Sequence, residues 1–175
     1  MVPATSLWSR AALRGHLPHP CCGTGGFLAQ AYEHMERQAT TAADIELLKD
    51  RTFYGREKES LVFPIALANL MLHGIDAPHV WHGNSLTGVA FHAALYTDAP
   101  ALFEVVLTNP PFGGKESKDA QSNFAYKTSA TQLLFLQHVI DALADGGICG
   151  AANGSSAGWP PARIYQRGRW VQVYV

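Results

Sequence analysis

The strongest hydrophobic pattern in the sequence is the apolar run at residues 101–108, Ala-Leu-Phe-Glu-Val-Val-Leu-Thr. Its length and its β-branched content predict a buried strand. The strand is followed directly by the Asn-Pro-Pro-Phe tetrapeptide of residues 109–112. Open α/β sheets bind ligands at the carboxyl ends of their strands. The pattern therefore predicts a binding site at this tetrapeptide.

Shorter patterns predict the other elements. Leu133, Leu136, Ile140 and Leu143 recur at helical spacing and predict an amphipathic helix over residues 129–143, ended by Asp145-Gly146-Gly147. Further predicted elements are a helix after residue 26, a short helix at 43–50, a strand at 52–57, a helix within 60–72 that begins late or kinks at Pro64, and a strand at 79–82. Together they predict an α/β fold with a mainly parallel sheet.

Three regions depart from this pattern. Residues 11–20 contain glycine, two prolines and two histidines where a buried strand would carry Val, Ile or Leu, so they predict a poor first strand. Residues 148–158 are small and flexible where an apolar strand is expected. The tail at 163–175 mixes arginine with aromatic residues, which suits a nucleic-acid contact, a lone edge strand or a sequence not selected to fold.

The polar, glycine-led stretch at residues 113–123 follows the tetrapeptide. Its length predicts a mobile or functional loop over the predicted binding site. Lys115, Lys118 and Lys127 could approach a phosphate backbone from there, although lysines on a loop are more often only solvated.

Composition limits the classes of protein to which this chain can belong. A chain of 175 residues that is 47% hydrophobic can form one domain with a sizeable core. A net charge of −1 gives no global signature of nucleic-acid binding. Three cysteines without metal-ligand spacing argue against a disulfide framework or a zinc site and favour the cytoplasm. Since no apolar run has membrane-spanning length, no membrane association is expected.

The tetrapeptide has a chemical use. Its two prolines make the strand exit stiff and leave its carbonyls free of the sheet. The side-chain oxygen of Asn109 and the carbonyl of Pro110 could accept both hydrogens of a planar amino group, and Phe112 could stack on its ring. The alternative is a structural strand exit with an Asn cap and a core Phe. The second motif of the chain favours the binding site.

That second motif is a glycine-rich turn before the first predicted helix. It consists of Cys21, Cys22, Gly23, Thr24, Gly25, Gly26, Phe27 and Leu28. Glycines at a strand-to-helix turn let a ligand approach the backbone, and the helix start offers free N–H groups. The spacing is neither that of a dinucleotide fingerprint nor that of a phosphate loop. An ordinary glycine-rich turn is equally compatible with this motif alone.

Two polar residues follow the next predicted strands. Glu57 comes at the end of the strand at 52–57, where an acid can bind both hydroxyls of a ribose. Asn84 comes after the strand at 79–82 and could accept a hydrogen bond from an adenine amino group. Alternatively, Glu57 is a solvated helix-start carboxylate and Asn84 is an ordinary turn residue. The eight histidines are expected to be surface or satisfied core residues.

Three motifs in this order and spacing resemble the amino-group DNA methyltransferases, most closely the methylase subunit of type I restriction-modification systems. They are the glycine turn, Gly55-x-Glu57, and Asn109-Pro110-Pro111-Phe112 with the following Gly113-Gly114. The helix that contains Gln132-Leu-Leu-Phe-Leu-Gln-His138 also resembles that subunit. The similarity covers about residues 20–150.

The resemblance implies an incomplete Rossmann-like, S-adenosylmethionine-dependent methyltransferase fold. The activity it implies is site-specific methylation of N6 of a flipped-out adenine in duplex DNA, without a metal. It assigns the cofactor to Cys22, Gly23, Thr24, Gly25, Gly26, Glu57 and Asn84, and the target base to Asn109, Pro110, Pro111 and Phe112. The implied partners are duplex DNA and the specificity and restriction subunits of a type I complex.

The chain also departs from that family. His19 stands where the family has an acid, and Asn84 stands where the family usually has Asp. We expect an atypical N-terminal segment at 1–18, a partial catalytic core at 19–150 and a divergent tail at 151–175, as in a truncated gene product. The alternatives are an amino-group methyltransferase acting on RNA or on a protein glutamine, and a non-catalytic remnant. The glycine spacing disfavours a dehydrogenase.

Overall fold

The computed structural model describes residues 16–87, 100–111, 113–151, 162–166 and 169–174. Their elements, in chain order, are β1 (Leu17–His19), α1 (Gly26–Glu36), α2 (Ala42–Arg51), β2 (Phe53–Glu57), α3 (Phe63–Leu72), β3 (His79–His82), β4 (Phe103–Thr108), α4 (Lys118–Ser122), α5 (Thr131–Ala142), β5 (Leu143–Ala151), β6 (Ala162–Gln166) and β7 (Arg169–Tyr174). Helices connect β1 to β2, β2 to β3 and β4 to β5, and each of these strand pairs is parallel, which confirms the expected α/β class.

The strands form two ladders that lie edge to edge. β1, β2 and β3 are hydrogen-bonded in that order and are parallel. The second ladder has the order β4-β5-β7-β6, in which β4, β5 and β7 are parallel and β6 runs antiparallel to β7. β1 lies beside β4, so the combined order is β3-β2-β1-β4-β5-β7-β6. The expected mainly parallel sheet is confirmed.

The gap between the ladders follows from one proline. The Leu17 N–H donates to the carbonyl of Thr52, next to β2 (2.6 Å), so the next residue of the strand points its backbone to the other side, toward β4. That residue is Pro18, which has no N–H to donate. The predicted poor strand therefore does form, as three residues, but without a regular ladder to β4.

Strand β5 differs from two expectations drawn from the sequence. Residues 148–151, expected to be flexible, lie in this strand, which begins directly after α5. Gly146 and Gly147 consequently lie within β5 and do not end the helix. The ladder explains the difference, because Val106 pairs with Cys149 and Leu107 with Gly150, while β7 pairs on the other side. Pairing on both sides stabilises a strand that small residues alone would not predict.

The segment after the tetrapeptide is also more ordered than expected. It contains α4, whose N-cap Ser117 accepts a hydrogen bond from the Ala120 N–H. The tail contributes β6 and β7, an antiparallel pair beside β5, and so is not a lone edge strand. The predictions for residues 1–15 and 152–161 lie outside the described residues.

The core beneath the glycine turn is built from the buried faces of α1, α2 and α3 against β2. Its largest fully buried side chains are Leu28, Tyr32, Leu48 and Leu70. Helix α3 begins at Phe63, with Pro64 in its first turn, where a missing N–H costs no helical hydrogen bond. This confirms that the helix begins late. The core therefore supports the turn from below.

Gly55, in the middle of β2, lies under this turn at a position with little room for a side chain. A β-carbon there would lie 3.0 Å from Val80 Cγ2, 3.1 Å from Leu28 Cδ1 and 3.2 Å from Cys22 Sγ. We expect Gly55→Ala to lower the free energy of unfolding by about 1–3 kcal/mol, because the added methyl group overpacks the core. Urea denaturation followed by circular dichroism measures this.

Gly26→Ala is the matched control for this change. Gly26 is the first residue of α1, and a β-carbon there meets nothing within 4 Å. Alanine favours a helix over glycine, so this variant should be neutral or slightly more stable. Equal stability of the two variants would contradict the packing argument for Gly55.

Candidate active site

The glycine turn connects β1 to α1. Gly23 and Gly25 have positive φ angles of 57° and 79°, which favour glycine. Gly25 is the N-cap of α1 and makes no side-chain cap, so the first-turn N–H groups face no capping side chain. Such a helix start binds carboxylates and other anions well. The turn therefore offers donors to the negative end of a ligand.

Glu57 ties the end of β2 to this turn. Its Oε2 accepts a hydrogen bond from the Gly23 N–H (2.8 Å), and its Oε1 accepts one from the Glu59 N–H (2.7 Å). The residue is 8% exposed, so the two bonds fix a nearly buried carboxylate. Each oxygen has two acceptor positions. One acceptor position per oxygen remains for a ligand, which is what a pair of ribose hydroxyls requires.

Cys21 joins the glycine turn to the Asn-Pro-Pro-Phe motif. Its Sγ shares a hydrogen bond with Thr108 Oγ1 (3.1 Å) and donates to the Asn109 carbonyl (3.5 Å). Burial and, secondly, the charge of Glu57 raise the pKa of this thiol to about 11, against the opposing hydrogen bond from Thr108. The thiol is therefore protonated at neutral pH and serves as a contact between the two motifs.

Asn84 lies in the turn after β3. Its Oδ1 accepts a hydrogen bond from the Leu86 N–H (2.9 Å), so one of its two acceptor positions is occupied. The neighbouring Ser85 hydroxyl donates to the Pro20 carbonyl, and the Asn123 amide donates to the Leu86 carbonyl (3.0 Å). The turn is thereby fixed to both the glycine turn and the segment that follows the tetrapeptide.

Two clefts open between these motifs. The first cleft has a volume of about 370 Å³ and is lined by Glu57, Asn84, Pro111, Gly113 and Gly114, among others. The second cleft has a volume of about 580 Å³ and is lined by His19, Cys22, Gly23, Thr24, Gly26 and Phe27, among others. Cys21 and Asn109 line both clefts. Asn109 and Cys21 therefore border both clefts, whose volumes suit a ligand of cofactor size.

The structure brings most of the predicted site residues to the two clefts, but Gly25 and Pro110 line neither of them. Gly25 does not line either cleft; it packs on α3, where a β-carbon would lie 3.4 Å from the Ala66 carbonyl oxygen. Pro110 is half-buried and Asn109 is exposed. The prediction for Phe112 lies outside the described residues. The assignment of these residues to a ligand stays a prediction.

Cys21 and His19 are site residues that sequence reasoning missed. The position of Cys21, one residue before the matched cofactor motif, was the available signal. His19 was expected to be a surface or satisfied core residue, and the structure buries it in the wall of the second cleft. It is 1% exposed, lines the second cleft, and its Nδ1 has no hydrogen-bond partner among the described residues.

Burial also controls the titration of this histidine. Desolvation lowers the pKa of His19 to about 3, and desolvation together with the charge of Arg56 lowers the pKa of His138 to about 4. The folded pKa lies below the unfolded value of 6.5, so protonation favours the unfolded chain. Stability present above pH 6.5 is lost as the pH falls toward these values.

We expect the free energy of unfolding to fall by about 1.5 kcal/mol per group between pH 6.5 and 5. Urea denaturation across this range measures the slope. His19→Leu removes one titrating group, so it should flatten the slope by about half. An unchanged slope in this variant would show that His19 has the same pKa in the folded and the unfolded chain.

The chain belongs to the N-6 DNA Methylase family, whose pattern matches residues 12–154. It is similar to the methylase subunit of the type I restriction enzyme EcoEI from Escherichia coli, with 36% identity over 131 residues, 73% of this chain and 26% of the relative. The chain thus spans about a quarter of the length of this curated relative.

Solved structures show the same fold. One solved structure was determined to explain complex assembly and conformational transition of the type I R-M system. It superposes with a TM-score of 0.69 at 35% identity and covers 85% of this chain and 32% of the other chain. The M protein of EcoKI gives a TM-score of 0.63 at 29% identity over 78% of this chain and 30% of the other. A Listeria monocytogenes protein classed among the class I S-adenosylmethionine-dependent methyltransferases gives a TM-score of 0.60 at 20% identity, covering 76% of this chain and 37% of that one. The expected Rossmann-like methyltransferase fold is confirmed.

The described residues contain neither a membrane-spanning helix nor a metal-binding group of side chains. No helix in this part of the chain has the length and apolar character needed to cross a membrane. Within the same residues, no group of three or more His, Cys, Asp or Glu side chains is placed to hold a metal ion.

Proposed function

We propose that residues 19–150 form the catalytic core of an adenine-specific DNA methyltransferase of a restriction-modification system, with S-adenosylmethionine as the methyl donor. The observation that carries this proposal is that Asn109 lines both clefts. A molecule bound in both clefts would pass the residue that the family uses to hold its target base. Family membership supports the same activity.

The residues of the two clefts fit the groups of the proposed cofactor. The remaining acceptor positions of Glu57 suit ribose hydroxyls, and the free acceptor position of Asn84 suits an adenine amino group. The uncapped start of α1 suits a carboxylate. The two clefts together therefore offer hydrogen-bonding groups to both polar ends of S-adenosylmethionine. When bound, this cofactor would supply an activated methyl group.

Asn109 and Pro110 would hold the target base. The Asn109 amide oxygen and the Pro110 carbonyl accept both hydrogens of the N6 amino group of an adenine turned out of the duplex. This draws the nitrogen lone pair out of conjugation with the ring and directs it toward the methyl donor. The protein thereby contributes alignment, which can supply a large part of a rate enhancement. Transfer would break the bond between the sulfonium sulfur and the methyl carbon and release S-adenosylhomocysteine. The methylated nitrogen, then positively charged, would lose its extra proton to water, so no side chain has to act as a general base.

We further propose that duplex DNA and the other subunits of a type I system are the partners of this core. The relatives support this by name: one is a type I methylase subunit, and a solved relative concerns the assembly of the type I complex. The match covers 26% of the first of these relatives and 32% of the second. Sequence specificity is accordingly assigned to a partner and not to this core.

Two measurements on the purified chain test the proposal. Calorimetric titration with S-adenosylmethionine should show one saturable site. Transfer of a labelled methyl group should occur to duplex DNA and not to RNA or to protein glutamine, and nuclease digestion should recover the label as N6-methyladenine. Label in RNA or protein would replace the substrate in the proposal. Absence of both binding and transfer would identify a non-catalytic remnant.

A further inference from the structure

The glycine turn is held from two sides by residues of neighbouring elements. On the β2 side, Glu57 accepts a hydrogen bond from the Gly23 N–H (2.8 Å). On the α3 side, the side-chain amide of Asn69 donates a hydrogen bond to the Thr24 carbonyl (2.9 Å). Glu57 has a part in the function proposed above, but Asn69 does not, although it lines the second cleft. The contact of Asn69 with the turn therefore calls for an explanation of its own.

The Thr24 carbonyl belongs to a part of the turn that the backbone itself restrains weakly. Thr24 lies between Gly23 and Gly25, whose φ angles are 57° and 79°. Glycine adopts positive and negative φ angles about equally well, so the peptide unit between Thr24 and Gly25 can rotate. Two hydrogen bonds oppose this rotation, because the Gly25 N–H donates to the Cys22 carbonyl (2.9 Å) and the Thr24 carbonyl accepts from Asn69. Both polar groups of one planar peptide unit are thus fixed.

Helix α3 gives the Asn69 donor a fixed position. The turn packs on this helix at Gly25, where a β-carbon would lie 3.4 Å from Leu70 Cγ. At the C-terminal end of α3, the His73 ring lies within hydrogen-bond distance of the Asn69 backbone carbonyl (2.8 Å) and of Glu33 Oε1 on α1 (3.2 Å). Asn69 therefore joins the turn to a helix that is itself in contact with α1.

The start of α1 depends on the same peptide unit. Gly25 is the N-cap of α1, and its carbonyl accepts the first hydrogen bond of the helix, from the Ala29 N–H (2.9 Å). A rotation between Thr24 and Gly25 would therefore move the first-turn N–H groups to which the proposed function assigns a carboxylate. A turn that is already ordered spares the ligand the entropic cost of ordering it.

We propose that Asn69 is a positioning residue for cofactor binding, an inference that rests on the proposed function. Its amide holds the Thr24 carbonyl against α3 and so keeps the glycine turn in the conformation that S-adenosylmethionine binds. Asn69 acts through the turn and not by contact with the cofactor. Its loss should therefore change the order of the turn in the ligand-free chain as well as the affinity for the cofactor.

The experiment measures the turn first without ligand and then with it. Asn69→Leu replaces the amide by an apolar group of similar size, and Asn69→Ala shortens the side chain. Both residues favour a helix more than asparagine does, so the thermal unfolding midpoint should not fall. Gln38→Leu is the control, because Gln38 follows α1, contacts His34 Nε2 through its amide (2.7 Å) and lines neither cleft. Hydrogen exchange with mass spectrometry reports on residues 22–28 of the free chain, and calorimetry measures the Kd of S-adenosylmethionine.

We expect both Asn69 variants to exchange the amides of residues 22–28 at least about threefold faster than the wild-type chain. The Kd of S-adenosylmethionine should rise about 5- to 10-fold, as for loss of one uncharged hydrogen bond. The KM for the cofactor should rise with the Kd, while kcat at saturating cofactor stays within about twofold, because the turn does not touch the target base. Gln38→Leu should match the wild-type chain in exchange and in Kd.

Three results would overturn the inference. Unchanged exchange and unchanged Kd in both Asn69 variants would remove any role for this residue. A raised Kd with unchanged exchange would show that Asn69 contacts the ligand directly, and faster exchange with an unchanged Kd would show that the order of the turn does not matter for binding. Failure of the wild-type chain to bind S-adenosylmethionine would overturn the proposed function and the cofactor role of Asn69 with it, whereas faster exchange in the variants would then still assign Asn69 to the order of the turn.

Discussion

Glu57→Ala is expected to weaken S-adenosylmethionine binding by at least about a hundredfold. Two hydrogen bonds from ribose hydroxyls to a carboxylate would be lost, and each such charge-assisted bond contributes about 1.5–3 kcal/mol. The substitution also removes the acceptor of the Gly23 N–H, which holds the glycine turn against β2. Calorimetric titration of the variant measures the Kd, and circular dichroism checks that the fold is kept.

Two controls separate these contributions. Glu57→Gln keeps the shape of the side chain and one acceptor oxygen, so its binding should be intermediate between those of wild type and Glu57→Ala. Glu59→Ala removes a neighbouring carboxylate of the first cleft but keeps the backbone N–H that donates to Glu57, so the Kd should stay within about threefold of wild type. Tight binding by Glu57→Ala would contradict the assignment of the ribose to this residue.

The parts of the fold that the sequence predicts well are those with a local signal. β4 and α5 each carry a hydrophobic period of their own, and the structure places them at Phe103–Thr108 and Thr131–Ala142. The glycine turn and the tetrapeptide are recognisable because their chemistry needs glycine and proline at fixed positions. Their common location then follows from the parallel sheet, whose carboxyl strand ends share one edge.

The parts that the sequence predicts poorly depend on distant residues. β5 contains glycine, alanine and cysteine, and it becomes a strand because β4 and β7 pair with it from both sides. β1 contains a proline and forms through its pairing with β2. The burial of His19 depends on the packing of its ring beside that of Phe27, which a sequence pattern cannot show.

Asn109→Ala is expected to reduce methyl transfer to DNA about 100- to 1,000-fold, the usual loss when a preorganised hydrogen-bonding group of an active site is removed. The amide oxygen that draws on the amino hydrogens disappears with the side chain. The Cys21 thiol contacts the backbone carbonyl of Asn109, so this link between the two motifs survives the substitution. Binding of S-adenosylmethionine should accordingly stay within about threefold of wild type. The initial rate of label transfer to duplex DNA that carries no adenine methylation measures the effect on methyl transfer. The calorimetric Kd measures the effect on S-adenosylmethionine binding.

Asn109→Asp is the matched variant, because it has the same size and retains oxygen acceptors at the same place. If acceptance of the amino hydrogens is the function of Asn109, the aspartate variant should transfer methyl groups at least about tenfold faster than the alanine variant. Equal rates for the two would assign Asn109 a packing role at the strand exit. Loss of cofactor binding in Asn109→Ala would instead place Asn109 among the residues that hold the cofactor, since this residue lines both clefts. Only a loss of rate with binding retained fits a group that acts on the target base.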